Sequence, residues 1–177
     1  MLQIFLCELR ELRKKENIPL ELIINFDETA IFFDQLPSYT YDQIGTSHPT
    51  IKTSKVLKKR LTAGLAITSM GEKLTPLLIF KGSGVRFNNL INLYGYMLKK
   101  NATAWNTAKI FLEYINQVIK PYVHAQRMKP ELKGKTALII VDNFSGHKLE
   151  DNEVKILKEQ GILLKFLRPY HELMPTS

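Results

Sequence analysis

The chain has 177 residues, 45% of them hydrophobic and 24% charged, the composition of an ordinary globular domain with a core of its own. No apolar run reaches the roughly 18 residues of a membrane span. The opening MLQIFLCELRELRKKENIP is interrupted by Glu8, Arg10 and Glu11 and lacks a small-residue cleavage site, so it does not read as a signal peptide. Cys7 is the only cysteine, which excludes an internal disulfide and a cysteine-based zinc site and fits an intracellular setting. A formal net charge of +8 suits a polyanionic partner, of which nucleic acid is the commonest.

Residues 2–15 carry apolar side chains at 2, 5, 6, 9 and 12, a helical spacing that Asn17 and Pro19 terminate. This helix reads as an arm or linker over residues 1–19. The run LIINF is apolar and β-branched and predicts a strand, with Asp27 and Glu28 at its far end or in its middle. The polar stretch that follows, DQLPSYTYDQIGTSHPTIKTS, is long for a plain connection and rich in turn residues. RLTAGLAITSMGEKLTPLLIFKGSG predicts two strands with a turn at residues 70–72, a hairpin in which Gly71 supplies the turn conformation.

RFNNLINLYGYMLKKNATAW reads as a loop. NTAKIFLEYINQVIKPYV then has apolar residues at 110, 111, 114, 115, 118 and 119, an amphipathic helix capped by Asn106 or Thr107, and Pro121 is expected to kink or end it. TALIIVD predicts a buried strand, KLEDNEVKILKEQG a helix stopped by Gly161, and ILLKFL a last strand before the tail RPYHELMPTS. The order of elements predicts a mixed α/β sheet flanked by helices. A doubly wound domain acting as a protein-interaction or small-ligand module is the alternative of another class. It would want a glycine-rich turn after the first strand, and NFDETAIFF has none.

Two strands run into acids, at Asp27 and Asp142. Neighbouring carboxylates repel each other and hold oxygen-seeking cations such as Mg²⁺, which can activate a nucleophile at a phosphodiester. The plainer reading is a capping role at a strand end. His147, alone near a loop, reads as solvated or hydrogen-bonded. Lys52, Lys55, Lys58, Lys59 and Arg60 follow one another with no acid between them. They read as a phosphate-tracking patch or as a solvated loop. Trp105 reads as core packing rather than as a base-stacking platform.

The blocks IINFDETAIFF, KRLTAGLAITSMGEKLTPLLIFKG, TAWNTAKIFLEYI and TALIIVDNFSGHK, in that order, resemble the DDE catalytic domain of pogo/Tigger-type transposases within the mariner-like superfamily. The resemblance covers residues 20–177. It implies an RNase H-like fold, with the first strands antiparallel and the later ones parallel, and DNA transposition with Mg²⁺ or Mn²⁺ in the nucleus. By it, Asp27 and Asp142 are the catalytic, metal-holding acids, and Glu28, Asn143 and His147 support them. The third acid has no match: Ser177 stands near its expected position, and Glu172, the nearest carboxylate, does not align with it. The upstream DNA-binding helix-turn-helix usual in such transposases is also not matched. The implied reading is a C-terminally truncated domain that binds DNA but cuts it poorly or not at all. The alternative is an active endonuclease with a substitute third ligand from Glu172, Glu28 or water. Related transposases act as multimers, so a homo-oligomer is also implied.

Overall fold

The computed structural model describes residues 2–33, 60–82 and 95–167. Helix α1 (Leu2–Lys15) leads into strand β1 (Ile23–Phe32), followed by β2 (Arg60–Thr68), β3 (Leu77–Lys81) and β4 (Met97–Asn101). A long helical stretch follows: α2 (Ala108–Tyr114), a π turn (Ile115–Ile119) and α3 (Lys120–Arg127). Strand β5 (Ala137–Val141), helix α4 (Asp151–Glu159) and strand β6 (Ile162–Phe166) complete the described order.

These strands form one sheet in the order β4-β3-β2-β1-β5-β6. β2 runs antiparallel to both β1 and β3, whereas the β3–β4, β1–β5 and β5–β6 pairs are parallel. The antiparallel start followed by parallel strands is the mixed arrangement expected, and it rules out the doubly wound module. The hairpin turn closes as the sequence suggests: Gly71 has φ +83°, and its N–H donates to the Thr68 carbonyl.

Every residue of β5 is buried, which is why ALIIV carries no alternation: it lies between two parallel neighbours with both faces covered. One face of the sheet packs under α2, the π turn, α3 and α4. Phe26 is its centre, with ring centroids 5.2 Å from Phe111 and 5.0 Å from Tyr114. Gly64 lets Phe26 lie flat against β2, since a Cβ there would stand 2.8 Å from the ring. The other face receives α1, whose Phe5, Leu9 and Leu12 pack against Ile18, Leu138 and Ile140. Glu8 adds an ion pair to Lys165 on β6 at 3.3 Å.

Arg127, at the end of α3, ties the helical layer to the sheet edge. Its guanidinium donates to the carbonyls of Lys135, Gln160 and Gly161 at 2.8, 3.0 and 2.7 Å. Gly161, at φ +69°, stops α4 in the left-handed conformation that favours glycine, as expected.

Two sequence expectations fail here. The segment read as a loop before Trp105 contains β4, an edge strand whose Met97 is fully buried while the remaining residues, Leu98 through Asn101, are only partly so. Of the two outcomes expected at Pro121, an end to the helix is the one that fails, since the helix continues to Arg127. The π turn just ahead of it widens the backbone by one residue per turn. That is one way for a helix to absorb a residue that lacks an N–H and crowds the preceding turn.

Candidate active site

Asp27 lies in the middle of β1, and its neighbours alternate: Ile24 and Phe26 are buried under the helices, while Asn25 and Asp27 are exposed on the opposite face. The parallel register pairs Ile23 with Leu138, Ile24 with Ile139 and Asn25 with Ile140. Carried two positions further, that register brings Asp27 level with Asp142, the residue just past the end of β5. Side chains level on adjacent strands start about 5 Å apart.

Asp142 also shapes its own loop. Its Oδ1 accepts the Phe144 N–H at 3.1 Å, the local turn that aspartate favours. The capping role is therefore real, and it occupies one carboxylate oxygen. Asp27 Oδ1 likewise accepts the Glu28 N–H at 2.8 Å.

Glu28 points the other way, toward α2, because successive residues of a strand face opposite sides. Its Oε1 accepts the Asn106 amide and meets His147 Nε2 at 2.9 Å. The His147 ring is completely buried, in the 3-10 turn Ser145–His147 that follows β5. It packs against Phe111, Phe26 and Phe144 with centroids 4.9, 5.5 and 5.6 Å away. Its Nδ1 lies 2.7 Å from Asp142 Oδ1, close enough for an ion pair but off the line of a good hydrogen bond. Burial disfavours a charged imidazole. The hydrogen bond and charge of Glu28, together with the charge of Asp142, outweigh that cost and raise its pKa above the ordinary histidine value. His147 is thus a buried bridge between two carboxylates: of the two readings its sequence position offered, the hydrogen-bonded one holds and the solvated one does not.

The turn that delivers His147 depends on Gly146. A Cβ there would stand 2.5 Å from the Phe144 ring and 2.8 Å from the Asn106 carbonyl oxygen. Asn106 is 3% exposed and was considered only as a helix cap. The cap is Thr107, whose hydroxyl accepts the Ile110 N–H at 3.3 Å, and Asn106 instead holds Glu28. Asn143 is exposed to solvent.

Trp105 corrects another expectation. It is 47% exposed, not packed in the core, with the Arg60 guanidinium 4.3 Å from its ring centroid and Phe144 at 6.0 Å. Arg60 opens β2, whereas Lys52, Lys55, Lys58 and Lys59 lie outside the described residues, as do Glu172 and Ser177.

Among the described residues, no three His, Cys, Asp or Glu side chains come together as a metal-holding group. The pair Asp27 and Asp142 nevertheless suits a hard cation of the Mg²⁺ type. Such ions keep several waters and need only one or two protein carboxylates beside substrate phosphates. The hydrogen bonds found at each aspartate use Oδ1.

Residues 58–173 match the family model described as DDE superfamily endonuclease. The chain is 29% identical to the mouse Tigger transposable element-derived protein 4 over 137 residues, which cover 77% of this chain and 24% of that protein. It is 28% identical to the human Jerky protein homolog over 148 residues, 82% of this chain and 26% of the relative. The chain therefore spans about a quarter of the length of the curated relatives it matches. Among solved structures it resembles a Mos1 transposase paired-end complex with left transposon end, with a TM-score of 0.52 and 13% identity, over 89% of this chain and 39% of that one. A Mos1 mariner paired-end complex with Mn gives a TM-score of 0.51 at 18% identity, over 89% and 39% of the two chains. At such identities the likeness establishes the fold, which is RNase H-like. The chain belongs to the DDE superfamily endonucleases, as a pogo/Tigger-like transposase-derived domain.

Proposed function

We propose that this domain binds DNA and holds a divalent cation weakly between Asp27 and Asp142, with little or no strand cleavage. The observation that supports the reading is the parallel pairing of β1 with β5, whose register from Ile23–Leu138 to Asn25–Ile140, carried two positions on, brings Asp27 level with Asp142 just past β5, within a chain of this family. A bound Mg²⁺ or Mn²⁺ would supply Lewis-acid activation at a phosphodiester. Asp27 and Asp142 would offer the oxygens, and His147 would hold Asp142 in place from behind. Asp27 and Asp142 are the acids this reading gives the cation, and two carboxylates leave most of its shell to water and phosphate, hence the weak binding and poor cleavage.

Glu28 supplies no ready third ligand. It faces away from Asp27 and is already engaged by Asn106 and His147. The +8 charge supports a polyanionic partner, and the reading puts the protein where DNA is, in the nucleus.

The test is titration calorimetry with Mn²⁺ or Mg²⁺ on the wild type and on Asp27→Ala/Asp142→Ala, together with a nicking assay on duplex DNA. Weak binding in the wild type, lost in the double variant, with negligible nicking, is the expected result. No cation binding in the wild type refutes the site. Strong metal-dependent nicking that both substitutions abolish would show instead an active endonuclease with a substitute ligand.

A further inference from the structure

The least explained side chain of the site is Trp105. A large aromatic that is 47% exposed forgoes much of the burial that usually justifies it. Its presentation is nevertheless fixed. The Asn101 amide donates to the Trp105 carbonyl at 2.6 Å, the Thr103 hydroxyl accepts the Trp105 N–H at 3.3 Å, and Asn101 Oδ1 accepts the Thr103 N–H at 3.1 Å. Ala104, just before it, is buried and sits at φ +60°, a left-handed conformation that costs a non-glycine residue about 1 kcal/mol or more. The loop thus holds the indole out in water at an energetic cost.

Its surroundings identify what the indole would meet. Arg60 lies 4.3 Å from the ring centroid, and the Phe144 ring stands 6.0 Å away at 31°. Phe144 donates its N–H to Asp142, and Asn106, next to Trp105, holds Glu28. Phe144 is thus itself bonded to Asp142, and Trp105 adjoins the partner of Glu28. Asn101 also lines a groove of about 710 Å³ with Lys99, Lys100 and Lys109, in which Lys99 pairs with Glu113 at 2.5 Å. A polar, lysine-lined groove meets, at Asn101, the loop that carries an aromatic ledge with a guanidinium on it, and the ledge adjoins Asp142.

We infer that Arg60, Trp105 and Phe144 form a stacking platform for an unpaired nucleotide base next to the carboxylate site. This rests on the DNA-binding reading and deepens it. Phosphates track along the lysine groove, and one base leaves its helix to lie on the indole. Within a duplex both faces of a base are covered by its neighbours. Only a flipped, frayed or single-stranded base offers a face, so the platform selects DNA that is locally unpaired. A protein partner would not require the cation and the carboxylate pair at the same ledge.

Trp105 is the only tryptophan of the chain, so its emission reports on the platform alone. The experiment titrates the whole chain with a short oligodeoxythymidylate, a forked duplex and a long plain duplex. Binding is followed by anisotropy of the labelled DNA and by indole emission, in wild type, Trp105→Ala and Trp105→Phe. Expected are quenching by the oligonucleotide and the fork, and a loss of about 10-fold in their affinity in Trp105→Ala. Trp105→Phe should restore most of that loss, and long-duplex affinity should hardly change. DNA binding without quenching, and without an effect of Trp105→Ala, overturns the platform but leaves DNA binding standing. Equal weakening on all three DNAs assigns Trp105 a general structural role and also overturns it. Absence of binding to any of the DNAs at low salt overturns both this inference and the DNA-binding reading.

Discussion

Replacing His147 by alanine tests the buried bridge at the heart of the site. The imidazole is fully buried, contacts three aromatic rings and approaches two carboxylates at 2.9 and 2.7 Å. The two partners do not count equally. The Glu28 side chain is only 14% exposed, so removing its partner leaves a nearly desolvated charge, at a cost of about 3 kcal/mol or more. The Asp142 side chain is 48% exposed, and water screens most of its share. The cavity left by the ring overlaps with these losses rather than adding to them in full, so the total should be about 3–5 kcal/mol. His147→Phe fills the cavity but not the charge, and it should recover only part of the loss.

The pH dependence gives the sharper readout. The folded-state pKa of His147 is raised above the ordinary value of about 6.5. The folded state therefore holds this proton more tightly than the unfolded chain does. Stability from the charged bridge is complete below about pH 6.5 and falls away as pH rises through the folded-state value. Each pH unit separating the two midpoints is worth about 1.4 kcal/mol. Urea unfolding of wild type and His147→Ala from about pH 6 to 9 should give two curves that converge as pH rises. A constant gap would mean that the imidazole is neutral in the fold, and the ion-pair reasoning would be wrong.

Further perturbations probe the frame around that bridge. Gly146→Ala should destabilise by about 1–3 kcal/mol, because the new methyl meets a backbone carbonyl at 2.8 Å as well as the Phe144 ring; unchanged urea stability would show that the turn is free to shift. Arg127→Ala strips three carbonyls of a charged donor and should cost about 2–3 kcal/mol, with Arg127→Lys recovering little because an ammonium cannot serve all three. Equal stability of the alanine and wild-type proteins in thermal unfolding would refute the clamp.

What the sequence could disclose depended on how each element is buried. β5 was legible because a strand covered on both faces must be apolar throughout, and α4 because Gly161 has a required conformation at its end. β4 was not legible: Lys99, Lys100 and Asn101 break the apolar pattern, and it is parallel pairing with β3 that makes the segment a strand. Trp105 was assigned to the core, although Asn101 and Thr103 before it supply the hydrogen bonds of the loop that exposes it. His147 and Asn106 were undervalued for a related reason. Their partner Glu28 lies 119 and 78 positions away, and only the fold brings them together. Gly146, two residues before Lys148 in FSGHK, was the available hint that something passes close.

The topology explains why acids should stand where they do. Chain connections leave β1 toward β2 on one side and β5 toward β6 on the other, so the order of strands reverses between β1 and β5. A reversal of this kind is the usual ligand position of an open α/β sheet, outside the carboxyl ends of its parallel strands. Asp142 sits at that end of the sheet, one residue beyond β5. Asp27 reaches the same level from within β1, because β1 continues five residues further, to Phe32, as a ribbon with β2. That extension gives Asp27 a paired, fixed backbone, with the ladder to Leu65 on one side, instead of a loop position. The two carboxylates are thus held by different means, one by the ladder and one by its turn and His147. Disrupting the turn should move Asp142 alone, so Gly146→Ala should weaken cation binding while leaving the strand that carries Asp27 intact. Cation affinity that survives Gly146→Ala at full strength would show that Asp142 does not depend on the turn.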